Sequence, residues 1–146
     1  MRPKHDIVVD ASFLVPLVVR GDDISPRART AHELVRTSAG LVAPSLFMFE
    51  FLNAIRNGRR VGQLSVEQGA IAVTAIFDLC VHLEPAPDIV VALRISELAD
   101  AHGLTAYDAS SLELALRTKS PLATFDDALA KAARAEGVEV VGIEPK

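Results

Sequence analysis

Four acidic residues stand where carboxylates can do chemistry: Asp10, Glu50, Asp108 and Asp126. Asp10 ends the apolar run IVVD. Asp108 sits in LTAYDASSLELALR, in the first turn of an expected helix. Asp126 follows the short run LAT, and Glu50 interrupts the apolar tract PSLFMFEFLNAIRNG. Brought together, four carboxylates cannot all stay ionised unless a cation offsets their repulsion. An all-oxygen ligand set favours Mg²⁺, with Mn²⁺ as the alternative, over zinc. His5, His32, His82 and His102 are scattered and show no zinc spacing. The chemistry to expect is metal-assisted attack of water on a phosphate ester.

Each acid also has an ordinary structural reading. Asp10 or Ser12 can cap a helix over 12–19. Thr105 and Asp108 can form a capping pair, and Asp126 or Asp127 can cap the helix that follows. Glu50, Asn53 and Asn57 can be a solvated stripe, although the apolar neighbours Phe47, Phe49, Phe51, Leu52 and Ile55 predict a largely buried helix. Asp127 is the alternative fourth acid. The conjunction favours a site, because three of the acids fall at strand-to-helix junctions. Ligands of open α/β sheets bind at the carboxyl ends of strands.

The elements that must position these acids alternate between short apolar runs and longer helical patterns. That order predicts α/β architecture with a mainly parallel sheet. Strands are expected at 7–10, 41–43, 81–84, 122–124 and 138–143, with GDDISP as a loop. Helices are expected at 12–19, 26–38, from Pro44 to a stop at Gly58, from Ser65, at 87–102, at 106–118 and to Glu136.

The 146 residues suit one domain spanning 1–146, half of them hydrophobic and with mean hydropathy +0.30. No apolar run reaches the roughly 18 residues of a membrane span. No signal-peptide pattern opens the chain, and Cys80, read as a small buried hydrophobe, is the single cysteine. Both features suit a reducing cytoplasm. The net charge of −4 is unusual for a nucleic-acid binder, but clustered site acids account for it and a bound cation would reverse the local field. Phosphate contacts must then come from elsewhere. Arg56, Arg59 and Arg60 in RNGRR are the first candidates, with Arg117 and Lys119 behind them.

Rival phosphoryl-transfer domains that use an Asp after the first strand would want a second Asp two residues on, where Ser12 stands. Others would want an acidic pair near that strand, and Asp22-Asp23 comes too late. No glycine-rich phosphate loop follows any strand.

VVDASFLV, PSLFMFEFLNAI, LTAYDASSLELA and LATFDDALAKAA, in this order, resemble the PIN-domain family, and within it the VapC-like toxins of toxin–antitoxin pairs. The resemblance implies a three-layer α/β/α domain around a five-stranded parallel sheet. It implies a Mg²⁺- or Mn²⁺-dependent ribonuclease whose acids fall on Asp10, Glu50, Asp108 and Asp126. Family hydroxyls fall on Ser12 and Thr124, and a frequent polar position falls on Asn53. A small antitoxin and a homodimeric state are implied as well. An RNA-processing or RNA-binding module outside such a pair is the alternative.

Overall fold

A computed structural model describes residues 6–18 and 25–143. The expected loop at GDDISP, with Asp22 and Asp23, lies largely outside these residues. Five strands form one parallel sheet: β1 (Asp6–Val9), β2 (Gly40–Ala43), β3 (His82–Leu83), β4 (Leu122–Ala123) and β5 (Val140–Val141). Their order is β3-β2-β1-β4-β5. Val8 pairs with Val42 on one side and Leu122 on the other.

Seven helices are described: α1 (Ala11–Val18), α2 (Pro26–Thr37), α3 (Phe47–Arg60), α4 (Val66–Asp78), α5 (Ile89–His102), α6 (Ala106–Thr118) and α7 (Asp127–Ala135). The continuous apolar runs of the strands have a direct structural consequence. Side chains alternate across a strand. Ile7, Val9, Leu41, Ala43 and Ala123 therefore pack under α1, α3 and α4 through Phe13, Phe51 and Ile76. Val8 and Leu122 face the other way, onto Leu112, Leu129 and Ala133 of α6 and α7. Two apolar cores on opposite faces of one sheet make three layers. With β1 at the centre and the chain crossing from one flank to the other, the carboxyl end of β1 is where a crevice opens.

Several expected boundaries move. The third helix starts at Phe47 rather than Pro44, because residues 45–46 make a turn first, and it runs through Gly58 to Arg60. Gly58 is not a stop. Its missing side chain lets Leu64 cross the helix: a Cβ there would lie 2.9 Å from Leu64 Cδ1. The same helix is not buried all round. Phe47, Phe51 and Ile55 are buried, while Phe49 is 66% exposed. Cys80 is exposed rather than buried, in the turn that follows α4, where its φ is +52°. The expectation of no membrane span stands in one respect: no helix among the described residues is long and apolar enough to cross a membrane.

Candidate metal centre

Asp10 directly follows β1 and is 5% exposed. Its backbone N–H donates to the Ala123 carbonyl at 3.0 Å, which extends the β1–β4 pairing to the strand end. Ser12 Oγ donates to Asp10 Oδ2 at 2.5 Å and Thr124 Oγ1 donates to the same oxygen at 3.0 Å. Both hydroxyls are themselves anchored. Ser12 Oγ accepts from the Phe125 N–H at 3.2 Å, and Thr124 Oγ1 accepts from the Asp126 N–H at 3.0 Å. The β4–α7 turn is thereby tied to the Asp10 carboxylate. A buried carboxylate needs such partners.

Glu50 enters from the first turn of α3 and Asp108 from the first turn of α6. Thr105 does cap α6, but through the Asp108 backbone: its Oγ1 accepts from the Asp108 N–H at 3.2 Å. The Asp108 carboxylate is left to join the cluster. One oxygen each from Asp10, Glu50 and Asp108 lies within 4.8 Å of the others. Oxygens sharing one Mg²⁺ at about 2.1 Å would sit about 3 Å apart as neighbours and about 4 Å apart across the ion. The three carboxylates are therefore close to a single-ion spacing, and their donor atoms are the hard oxygens that Mg²⁺ and Mn²⁺ take. The residues fit a divalent ion.

The electrostatics point the same way. Burial, then the charges of Asp10 and Asp108, push Glu50 up to about 7. Burial, then Asp10 and Asp126, push Asp108 up to about 6, against a hydrogen bond from Thr105. Asp10 is also raised, chiefly by burial, against the bonds from Ser12 and Thr124. The acids resist ionising together, as clustered carboxylates do without a counter-ion.

The fourth acid is placed differently. Asp126 caps α7, its Oδ1 accepting from the Leu129 N–H at 2.8 Å, so the capping alternative describes it. It is not among the three converging acids, yet its charge is felt by Asp10 and Asp108. Asp127 is exposed at the first position of α7. Asn53 is exposed on α3, one turn beyond Glu50.

The basic candidates separate. Arg117 is engaged with acids: its Nε donates to Glu113 at 2.7 and 3.2 Å, and Glu84 lies 3.7 Å from Nη1. Two carboxylates thus offset its charge. Glu113, 2% exposed, was not singled out in the sequence, although the i,i+4 spacing in LELALR was the available signal. Lys119 ends α6 in a left-handed conformation. Arg59 runs along α4, where a Cβ on Gly69 would lie 3.0 Å from its Cδ. A cleft of about 660 Å³ opens between α5, α6 and the segment leading into α3; Leu46, Val91, Tyr107, Glu84, Asp88 and Arg117 are among its lining residues, and the three converging acids are not.

A family model described as the PIN domain matches residues 7–135. No curated protein matches the chain. Several solved structures share its fold. PAE2754 from Pyrobaculum aerophilum is 24% identical, with a TM-score of 0.68, over 93% of this chain and 83% of that one. VapC20 from Mycobacterium tuberculosis, described as a sarcin–ricin loop cleaving toxin, is 20% identical, with a TM-score of 0.65, over 95% of this chain and 99% of that one. FitAcB from Neisseria gonorrhoeae is 14% identical, with a TM-score of 0.58, over 92% of this chain and 96% of that one.

Proposed function

The chain belongs to the PIN-domain family, and from that premise we propose that it is a metal-dependent endoribonuclease acting as the toxin of a toxin–antitoxin pair. The observation that carries this reading is the convergence of Asp10, Glu50 and Asp108 oxygens at the carboxyl end of the sheet. The likeness in fold to VapC20, named as a toxin that cleaves the sarcin–ricin loop, supports RNA as the substrate. The whole chain, 1–146, would act as one nuclease domain.

Asp10, Glu50 and Asp108 would hold Mg²⁺, or Mn²⁺ in its place. When bound, such an ion supplies water of lowered pKa and offsets charge developing on phosphorus. Asp10 is the anchor, because Ser12 and Thr124 fix the direction of its carboxylate. Glu50, titrating near 7 without metal, would release its proton when a cation arrives. Asp126 is the outer acid of the proposed site. It acts through its field on Asp10 and Asp108, while Asp127 stands further out on the same helix.

Partners follow from this reading: an RNA substrate, a small antitoxin protein and a second copy in a homodimer, all in the cytoplasm. The purified protein should cut total RNA with Mg²⁺ or Mn²⁺ and stop when EDTA is added. Its induced expression should arrest growth, and Asp10→Asn should not. RNA left intact with both metals would refute the nuclease reading. Cleavage without growth arrest would refute the toxin role alone.

A further inference from the structure

The side of α3 that faces away from the core has a composition at odds with an ordinary helix surface. At about 100° per residue, Phe47, Phe51 and Ile55 centre the buried face. Directly opposite lie Phe49, Asn53, Arg56 and Arg60, with Leu46 at the near end. All five are exposed, Phe49 at 66%. Glu50 sits between the two faces, so the stripe starts beside the acid cluster. From Phe49, Arg56 lies about 10 Å and Arg60 about 16 Å along the axis, at 1.5 Å per residue.

Among the described residues, neither Arg56 nor Arg60 makes an ion pair. Both charges are available to an anion. Arg59 flanks this stripe, about 100° around the helix from Arg60, and is laid along Gly69 of α4. At the near end of the stripe, Leu46 also lines the cleft toward α5 and α6, which carries the acids Glu84, Asp88, Asp100 and Glu113 against the one cation Arg117. The cleft lining is net acidic, whereas the exposed face of α3 carries two unpaired cations, so α3 is the more favourable path for a polyanion. An aromatic ring followed by unpaired guanidiniums is the combination that holds single strands, through base stacking and phosphate contact.

We propose that this stripe is a track for single-stranded RNA, on which one base stacks on Phe49 while Arg56 and Arg60 hold phosphates of the same strand. The proposal deepens the nuclease reading and rests on it for the identity of the polyanion. It makes the substrate an unpaired segment, because a base in a duplex cannot offer its face to a ring on a helix surface.

The chain has no tryptophan, so Phe49→Trp installs a single reporter. In full-length protein also carrying Asp108→Asn, in EDTA, an eight-nucleotide oligoadenylate with a fluorescent end label is titrated. Binding is read from the label's anisotropy and stacking from the tryptophan emission. The expected result is saturable quenching that tracks binding. Binding without quenching, or no binding at all, overturns the track. Emission that shifts with protein concentration before RNA is added shows Phe49 covered by a second copy, and also overturns it.

In the otherwise native enzyme, Phe49→Leu should raise KM on single-stranded RNA about 5- to 100-fold with kcat little changed, and Phe49→Tyr should restore it. A merely apolar contact would tolerate leucine. Arg56→Gln and Arg60→Gln should each lower the slope of log Kd against log salt by about 0.7. An unchanged slope in both overturns the phosphate role. If the native enzyme cuts no RNA, the nuclease reading fails separately, and the titration still decides the track.

Discussion

Without metal, the acid cluster should make the protein less stable as pH rises from 4 to 8. Glu50 moves from 4.5 to about 7 and Asp108 from 3.8 to about 6 on folding, so the native state holds protons that the unfolded chain has released. The loss begins near pH 4, where the unfolded carboxyls ionise, and is complete above about 7. At about 1.4 kcal/mol per pH unit, the two groups together amount to about 6 kcal/mol before screening. Both are half-exposed, and water screens charges at such positions strongly. About a third of that figure, on the order of 2 kcal/mol, is the expected loss. For a chain of this length it corresponds to about 4–8 °C in Tm.

The assay is thermal unfolding in EDTA from pH 4 to 8, comparing the native chain with Asp108→Asn. The variant removes one acid and relieves Glu50, for which Asp108 is one of the raising charges. Its curve should be flatter, and it should overtake the native protein above about pH 6. Mg²⁺ at about 100 times its Kd should return about 2.7 kcal/mol to the native chain. Parallel pH curves for the two proteins would refute the repulsive cluster.

Thr124→Val removes the buried hydroxyl that bridges Asp10 and the Asp126 N–H. It should cost about 1–3 kcal/mol by denaturant unfolding and lower Mg²⁺-dependent cleavage about 10- to 100-fold. Gly142→Ala should destabilise by about 2–4 kcal/mol in the same measurement. Its φ is +115° and the added Cβ would lie 2.6 Å from the Thr124 carbonyl oxygen and 2.9 Å from Phe13. Glu113→Ala should cost about 1–3 kcal/mol by removing the closer of the two acids paired with Arg117, while leaving the rate of RNA cleavage unchanged.

The sheet was legible because IVV and LVA are continuous apolar runs, which only strands covered on both faces require. The register, however, depends on pairings such as Val8 with Val42 and Leu122, which no local pattern states. Helix starts marked by a hydroxyl or acid were read well: Ser65, Thr105 and Asp126 each cap the helix they precede. Pro26 and Gly103 also mark a helix start and a helix end as expected, but Pro44 and Gly58 do not. Pro44 precedes a turn, and Gly58 answers to Leu64 from outside its helix, a tertiary contact invisible in sequence.

At the site, Asp10 and Asp108 stood out by type and junction and Glu50 by its apolar surroundings, but their convergence is a property of strand order. Asp126 shows why a cap and a site acid look alike: both sit just past a strand, ahead of a helix. The pairing of Arg117 with Glu113 was legible as an i,i+4 pair, while its second acid, Glu84, lies far along the chain. The exposure of Phe49 was hidden because an aromatic in an apolar tract reads as core until the buried face of the helix is known.

The most direct test of the proposed centre is RNA cleavage by Asp10→Asn and Asp108→Asn, measured with Mg²⁺ on protein whose circular dichroism matches the native chain. Asp10 and Asp108 belong to the same three-oxygen cluster, so each substitution should lower the rate by at least about 100-fold. Folded variants that both cut RNA at the native rate would contradict the account.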